Sequence, residues 1–125
     1  MNNDLFSMRQ IRIMIEKNND NTCIGCIDIY DFDPIHMRAG IGILIQKDYR
    51  KLGFARQALE LIIHYCFNTL MLKQIYCLID VLNNDSIKLF TNIGFEQCGL
   101  RKEWIKTPNG FIDEIEFQLI NKDFR

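Results

Sequence analysis

The sequence has no long apolar run, no excess of charge of one sign and no internal repeat. Because no apolar stretch reaches the length of a membrane-spanning helix, the chain is not expected to cross a membrane. The polar segment at positions 1–4 lacks the pattern of a signal peptide, which predicts a cytoplasmic location. Fifteen Lys and Arg residues and sixteen Asp and Glu residues give a formal net charge of −1. Nucleic acid, which requires clustered positive charge, is therefore not expected as a partner.

A complete metal-binding or redox pattern is also missing. Cys23 and Cys26 form a C-x-x-C pair, but no second pair of this kind and no His pair completes a zinc site. The pair lies in an alternating apolar run typical of a β-strand, whereas a redox pair lies at the start of a helix. The five cysteines are therefore predicted to be free thiols, and no metal site is expected.

Apolar residues make up 48% and charged residues 25% of the 125 positions, which predicts one globular domain over 1–125. Apolar runs with alternation or without interruption predict strands at 10–16, 22–30, 39–45, 73–80, 95–105 and 111–120. Apolar residues at helical spacing predict helices over 55–70 and 84–93. The order β-β-β-α-β-α-β-β predicts an α+β fold with a mixed central sheet, in which the third and fourth strands are parallel.

Glycine and proline mark several boundaries in this pattern. The segment 31–34, with its proline, is predicted to break the second strand. Gly40 and Gly42 interrupt the third strand, where they indicate a bulge or a close approach by another backbone. Gly94 is predicted to end the second helix. Asn109 and Gly110 predict the turn of a final hairpin.

A basic glycine loop joins the third strand to the first helix. The first N–H groups of a helix have no partner inside it, and the helix dipole adds positive charge there, so such a loop favours a phosphate. Arg50, Lys51 and Arg56 add cationic side chains, and Gly53 lets the backbone approach a ligand. The spacing is neither a Walker loop nor a Rossmann fingerprint. A solvated basic turn between a strand and a helix is the simpler alternative.

The pattern Arg50-x-x-Gly53-x-Ala55 resembles the pyrophosphate loop of the GCN5-related N-acetyltransferases (GNAT), written [Gln/Arg]-x-x-Gly-x-[Gly/Ala]. Further stretches resemble one branch of that superfamily, which holds the spermidine/diamine and the ribosomal-protein N-acetyltransferases. These stretches are 35–39, the motif Asn83-x-x-Ser86 with Leu89, Phe90 and 93–95, and a closing hairpin with Gly99, Trp104 and 110–114.

The resemblance implies an acyltransferase that moves an acetyl group from acetyl-CoA to a primary amine. The implied acceptors are a polyamine or diamine, an aminosugar or a protein N-terminus. In the family the third and fourth strands separate, and the pantetheine arm of the cofactor lies in the gap. The residues implied to bind the cofactor are Ile43, Leu44, Ile45, Arg50, Lys51, Leu52, Gly53, Phe54, Ala55, Arg56, Asn83 and Ser86.

Several departures from the family pattern affect the expected chemistry. The sequence begins at the family's second strand, so the first strand and the first two helices are expected to be lacking. Phe90 stands where the polyamine enzymes carry a tyrosine proton donor, and Gly40 stands where they carry an acid. Ser86 is then the nearest candidate for stabilising or protonating the CoA thiolate.

With the family's first strand lacking, the strand at 10–16 becomes an exposed edge that is expected to pair with another copy, which predicts a homodimer or a higher assembly. The alternative function is a non-catalytic acetyl-CoA-binding or assembly module.

Some polar residues have simpler alternative roles. His36 is interpreted as a solvated loop histidine, and Asp31 and Asp33 fit turn chemistry as well as attraction of an amine. Ser86 would serve as a helix cap. Trp104 is interpreted as a core or rim residue rather than an acceptor platform. The carboxylates of the final hairpin are interpreted as solvent-facing charges, namely Glu103, Asp113, Glu114 and Glu116.

Overall fold

The computed structural model describes residues 9–124, which form a six-stranded mixed sheet packed against two α-helices. The strands are β1 (Ile11–Glu16), β2 (Cys23–Asp33), β3 (Arg38–Ile45), β4 (Gln74–Asp80), β5 (Glu96–Thr107) and β6 (Gly110–Ile120). The helices are α1 (Phe54–His64), preceded by a 3-10 turn over Lys47–Tyr49, and α2 (Asn84–Ile93). The spatial order of the strands is β1-β2-β3-β4-β6-β5. The predicted α+β fold with a mixed sheet is confirmed.

The sheet consists of two antiparallel halves joined by a short parallel contact. β1, β2 and β3 form one half, and β4, β6 and β5 form the other. The ladder between β3 and β4 has three residue pairs and ends where Gly40 pairs with Tyr76. Beyond that point β3 stays paired with β2 as far as Ile45, and β4 stays paired with β6 as far as Asp80. The two central strands therefore separate, as the resemblance implied.

The core lies on one face of the sheet, beneath the two helices. Alternate residues of the central strands, such as Ile29, Ile41 and Ile75, form a buried cluster with Leu59 of α1 and Phe90 of α2. Successive residues of a strand point to opposite faces, so the positions between these apolar residues lie on the face away from the helices. No charged or polar side chain is buried among the described residues.

The predicted break of the second strand at 31–34 was wrong, because β2 continues to Asp33. A change of register between Tyr30 and Asp33, with Asp31 at φ 49°, absorbs the irregularity without ending the strand. The carboxylate of Asp33 then accepts the backbone N–H groups of Ile35 and His36, each at 3.0 Å. The hydrogen bond from His36 lowers the pKa of Asp33. Asp33 therefore serves the turn, which is the simpler of its two predicted roles.

The predicted helix over 55–70 is regular only as far as His64. It continues as a π-helical turn over Tyr65–Thr69, with the N–H of Leu70 donating to the carbonyl of Tyr65 at 3.0 Å. Cys66, within this turn, is fully buried, so the apolar face predicted from the spacing is kept through the change of helix type.

The glycines of β3 cause no bulge, because the register between β2 and β3 is continuous from Gly25 to Tyr30. The predicted close approach does occur at Gly40, but the neighbour is the side-chain ring of Tyr30 and not a backbone. A close backbone contact lies instead at Gly25, where an added Cβ would overlap the carbonyl oxygen of Leu44.

All five cysteines are free thiols, as predicted. Cys26 is buried and Cys23 half-buried in β2, and burial raises the pKa of Cys66 and of Cys77 to about 12. Within residues 9–124, no group of three or more metal-binding side chains is assembled. None of the described helices combines the length and the apolar character that crossing a membrane requires.

Candidate active site

A cavity of about 370 Å³ lies where β3 ends, between the loop before α1 and the first turn of α2. Its lining residues are Ile43, Leu44, Ile45, Tyr49, Arg50, Lys51, Gly53, Ala55, Arg56, Asn83, Asp85, Ser86 and Leu89. The structure thus brings together all of the predicted cofactor-binding residues except Leu52 and Phe54. Residues from three separate elements, distant in sequence, meet around one space.

The strand side of the cavity is the part of β3 that has left β4. Ile43 and Ile45 lie on the face of the sheet that the helices cover, while Leu44 lies on the opposite face and is 60% exposed. All three line the cavity, so this wall is the edge of β3 that β4 leaves unpaired. An elongated ligand in the gap between β3 and β4 would lie beside strand backbone that β4 does not pair.

The helix side of the cavity is the N-terminus of α1. Gly53 is the N-cap, with φ 86° and ψ −3°, and provides no side-chain cap. The first intrahelical bond runs from the N–H of Gln57 to the carbonyl of Gly53, so the N–H groups of the first turn lack helix partners. An added Cβ at Gly53 would meet no atom within 4 Å, so the glycine is required by its backbone conformation and not by protein packing.

Three cationic side chains surround this helix end, each in a different setting. The Nε of Arg50 donates to the carbonyl of Ile45 at 2.9 Å, which fixes the guanidinium beside the cavity. Arg56 lies 3.6 Å from Glu60 one helical turn away, an exposed pair of small energetic value. Lys51 is exposed. The positive helix end and these cations together favour an anionic ligand.

The third wall of the cavity is the start of α2. The side-chain oxygen of Asn83 accepts the backbone N–H of Ser86 at 3.2 Å, so Asn83 is the N-cap. The interpretation of Ser86 as the cap was therefore wrong. Ser86 is half-buried in the first turn and lines the cavity.

Three of the predicted site residues do not line the cavity. Leu52 is exposed, and the ring of Phe54 contacts that of Tyr49 edge-on at 6.2 Å. Phe90 is 3% exposed and packs edge-on against Phe95 with ring centroids 5.0 Å apart. Phe90 therefore contributes to the core beneath α2.

The sequence reasoning missed Tyr49, Asp85 and Leu89, which line the cavity. The helical spacing of Asp85, Ser86 and Leu89 places them on one side of α2, and this spacing was a usable signal. Tyr49 had no comparable signal beyond its position next to Arg50.

The final hairpin differs in part from its predicted description. Trp104 is 59% exposed, with the guanidinium of Arg101 over its ring at 5.2 Å, which excludes the core and agrees with the predicted rim position. Glu103 is exposed, as predicted. Asp113 accepts the backbone N–H of Glu103 at 2.9 Å. Asp113, together with Glu114 and Glu116, is half-buried rather than solvent-facing.

Comparison with known proteins identifies the family. A family model described as an acetyltransferase (GNAT) domain matches residues 3–96. This chain belongs to the GNAT family. The GNAT chain is 30% identical over 111 residues to the uncharacterized N-acetyltransferase p20 of Bacillus licheniformis, a match covering 89% of this chain and 62% of p20. It is 27% identical over 88 residues to the spermidine N(1)-acetyltransferase of Escherichia coli (strain K12), covering 70% of this chain and 46% of that protein.

A solved structure shares the fold of this GNAT chain. A mutant form of the spermidine N-acetyltransferase SpeG from Vibrio cholerae aligns with a TM-score of 0.85 and 24% sequence identity. The alignment covers 90% of this chain and 66% of that one. The predicted family is therefore confirmed, while the chain spans less than two thirds of the length of p20.

Proposed function

We propose that this chain transfers an acetyl group from acetyl-CoA to a primary amine, with a polyamine or diamine, an aminosugar or a protein N-terminus as the acceptor. The supporting observation is one cavity that combines the gap between β3 and β4 with the positive N-terminus of α1. Acetyl-CoA carries an amide-containing arm, which fits an unpaired strand edge, and a pyrophosphate, which fits a positive helix N-terminus. The family membership of the chain supports the same reaction.

The proposed contacts follow from the two parts of the cavity. The amide groups of the pantetheine arm would pair with the backbone of β3 at Ile43–Ile45, as an added strand pairs with an open edge. The pyrophosphate would accept hydrogen bonds from the N–H groups after Gly53. Arg50, already positioned by the carbonyl of Ile45, would add a charge-assisted contact.

The proposed chemistry is direct transfer. The neutral amine nitrogen attacks the thioester carbonyl carbon, the carbon–sulfur bond breaks, the nitrogen loses one proton to water as the amide forms, and the departing CoA thiolate takes up one proton. Ser86 lines the cavity in the first turn of α2, where the positive end of the helix favours a thiolate. We therefore assign Ser86 the role of stabilising or protonating the sulfur.

The test is release of the CoA thiol from acetyl-CoA in the presence of a panel of amines, together with calorimetric binding of acetyl-CoA. Transfer to at least one amine class is expected. Binding without transfer to any amine would favour the non-catalytic acetyl-CoA-binding module, and absence of binding would refute both functions.

We also propose that 1–125 forms one acetyltransferase domain located in the cytoplasm, and that it assembles as a homodimer or a larger oligomer. Among the described residues, β1 has a strand neighbour on one side only, and Met14 on this strand is 56% exposed. An edge of this kind favours pairing with a second copy. Light scattering at micromolar concentration is expected to give a mass above 14.8 kDa, and a sharp monomer mass would contradict the assembly.

A further inference from the structure

The ring of Tyr30 occupies the space beside β3 that a side chain at position 40 would otherwise fill. Tyr30 and Gly40 are paired across the antiparallel ladder of β2 and β3. A Cβ added at Gly40 would overlap the ring at Cε2 and Cζ, whereas one added at Gly42 would come no closer than 3.9 Å. Glycine at position 40 is therefore what allows the ring to lie across the strand.

This ring stands at the point where the sheet divides. Gly40 also pairs with Tyr76 in the last residue pair between β3 and β4. The rings of Tyr30 and Tyr76 meet edge-on, with centroids 6.0 Å apart and planes at 87°. Two phenol side chains thus lie at the inner end of the gap whose outer part lines the cavity.

Both tyrosines lie on the face of the sheet away from the helices. Ile29 and Ile75 belong to the core under α1 and α2, so their neighbours Tyr30 and Tyr76 point to the other face. Leu44, which lines the cavity, lies on this same face, four residues along β3 from the Gly40 that pairs with Tyr30. The helical face is filled by the core, which leaves the opposite face for the approach of a second substrate.

We infer that Tyr30 contacts the acceptor amine and that its hydroxyl oxygen accepts a hydrogen bond from the amine N–H, turning the nitrogen lone pair toward the acetyl carbonyl. This inference rests on the proposed acetyl transfer and adds to it the residue that orients the nucleophile. Burial raises the pKa of Tyr30 above its ordinary value, and Asp31 and Glu114 act in the same direction. The group therefore stays a neutral hydroxyl, suited to orientation and not to proton abstraction.

The first test replaces Tyr30 by phenylalanine, which keeps the ring in place and removes only the oxygen. We expect kcat/KM for the amine to fall by about five- to tenfold, the effect of losing one hydrogen bond, while the Kd for acetyl-CoA and the melting temperature stay unchanged. Tyr65→Phe, which deletes the same atom from the π-helical turn that follows α1, is the matched control and should behave as wild type.

A second variant displaces the ring without deleting a polar atom. Gly40→Ala forces the ring of Tyr30 aside and should lower kcat/KM for the amine at least as much as Tyr30→Phe. If both variants act through the Tyr30 hydroxyl, adding Tyr30→Phe to Gly40→Ala should lower kcat/KM for the amine little further, because Gly40→Ala has already removed the effect of that hydroxyl. Near-UV circular dichroism checks that each variant is folded.

The outcomes separate this inference from the proposed function. Wild-type kcat/KM in Tyr30→Phe for every amine that the chain acetylates would overturn the role of Tyr30 and leave acetyl transfer standing. If Tyr30→Phe lowers kcat/KM by the same factor in the Gly40→Ala background as in the wild type, the role of Tyr30 is overturned as well. Absence of transfer by the wild-type chain would refute the proposed function, and the inference with it.

Discussion

Replacing Gly53 by valine tests the assignment of the α1 N-terminus as the pyrophosphate site. At φ 86°, a β-branched residue is strained, at a cost of about 1–3 kcal/mol. No atom lies within 4 Å of the added Cβ, so packing within the protein contributes nothing to this cost. The valine would, however, project from the loop that presents the N–H groups to the ligand.

The expected loss of acetyl-CoA affinity is about 2–3 kcal/mol, because relief of the strain moves the N–H groups of the loop away from the phosphate, which corresponds to roughly a 30- to 150-fold rise in Kd. Calorimetry measures the Kd directly. Gly110→Val is the matched control, because Gly110 has φ 117°, also has no atom within 4 Å of an added Cβ, and is the first residue of β6, outside the lining of the cavity. Both variants should lose a similar free energy of unfolding, and only Gly53→Val should lose affinity.

A third variant separates strain from the presence of a side chain. Asparagine tolerates positive φ, so Gly53→Asn should be more stable than Gly53→Val. If the backbone conformation governs binding, its Kd should lie nearer to that of the wild type. Unchanged affinity in Gly53→Val, or an equal loss in Gly110→Val, would refute the pyrophosphate assignment.

Three further predictions concern Ser86, Gly25 and the thiols. Ser86→Ala should lower kcat by at least about tenfold with acetyl-CoA affinity nearly kept, and turnover at the wild-type rate would show that the hydroxyl has no part in transfer. Gly25→Ala should lower the free energy of unfolding in urea by about 2–3 kcal/mol, because its Cβ overlaps backbone, while Gly99→Ala, which meets the flexible side chain of Glu116, should cost less. Alkylation followed by mass spectrometry should label exposed Cys98 before buried Cys66 and Cys77, and equal rates would contradict their burial.

The sequence located the elements well where local chemistry marks their ends. The predicted bounds of α2 agree with the structure, and Gly94 ends the helix as predicted, although the residue that caps its start is Asn83 and not Ser86. The change to a π-helical turn after His64 had no such marker, since a helical apolar pattern does not distinguish the two helix types. The continuation of β2 to Asp33 was missed because a bulge replaced the predicted break.

The sequence predicted most of the residues that line the candidate site, but it did not predict the contacts that these residues and their neighbours make. The loop at 50–56 and the motif starting at Asn83 carry recognisable spacings, and the fold brings them to one cavity. The hydrogen bond from Arg50 to the carbonyl of Ile45, and the ring of Tyr30 over Gly40, depend on distances between strands that no local pattern encodes. Gly40 is unusual for a strand in the sequence alone, but only the folded sheet shows that the ring of Tyr30 lies against it.

The three-pair contact between β3 and β4 also bears on how the chain folds. The antiparallel ladders β1–β2, β2–β3 and β5–β6 close between segments near in sequence, whereas β4 pairs with distant segments on both sides, β3 and β6. The three local ladders cost less loop-closure entropy than either pairing of β4. We expect these hairpin ladders to form first and β4 to join them late. The cavity lies where the contact between β3 and β4 stops, so neither half of the sheet contains it alone.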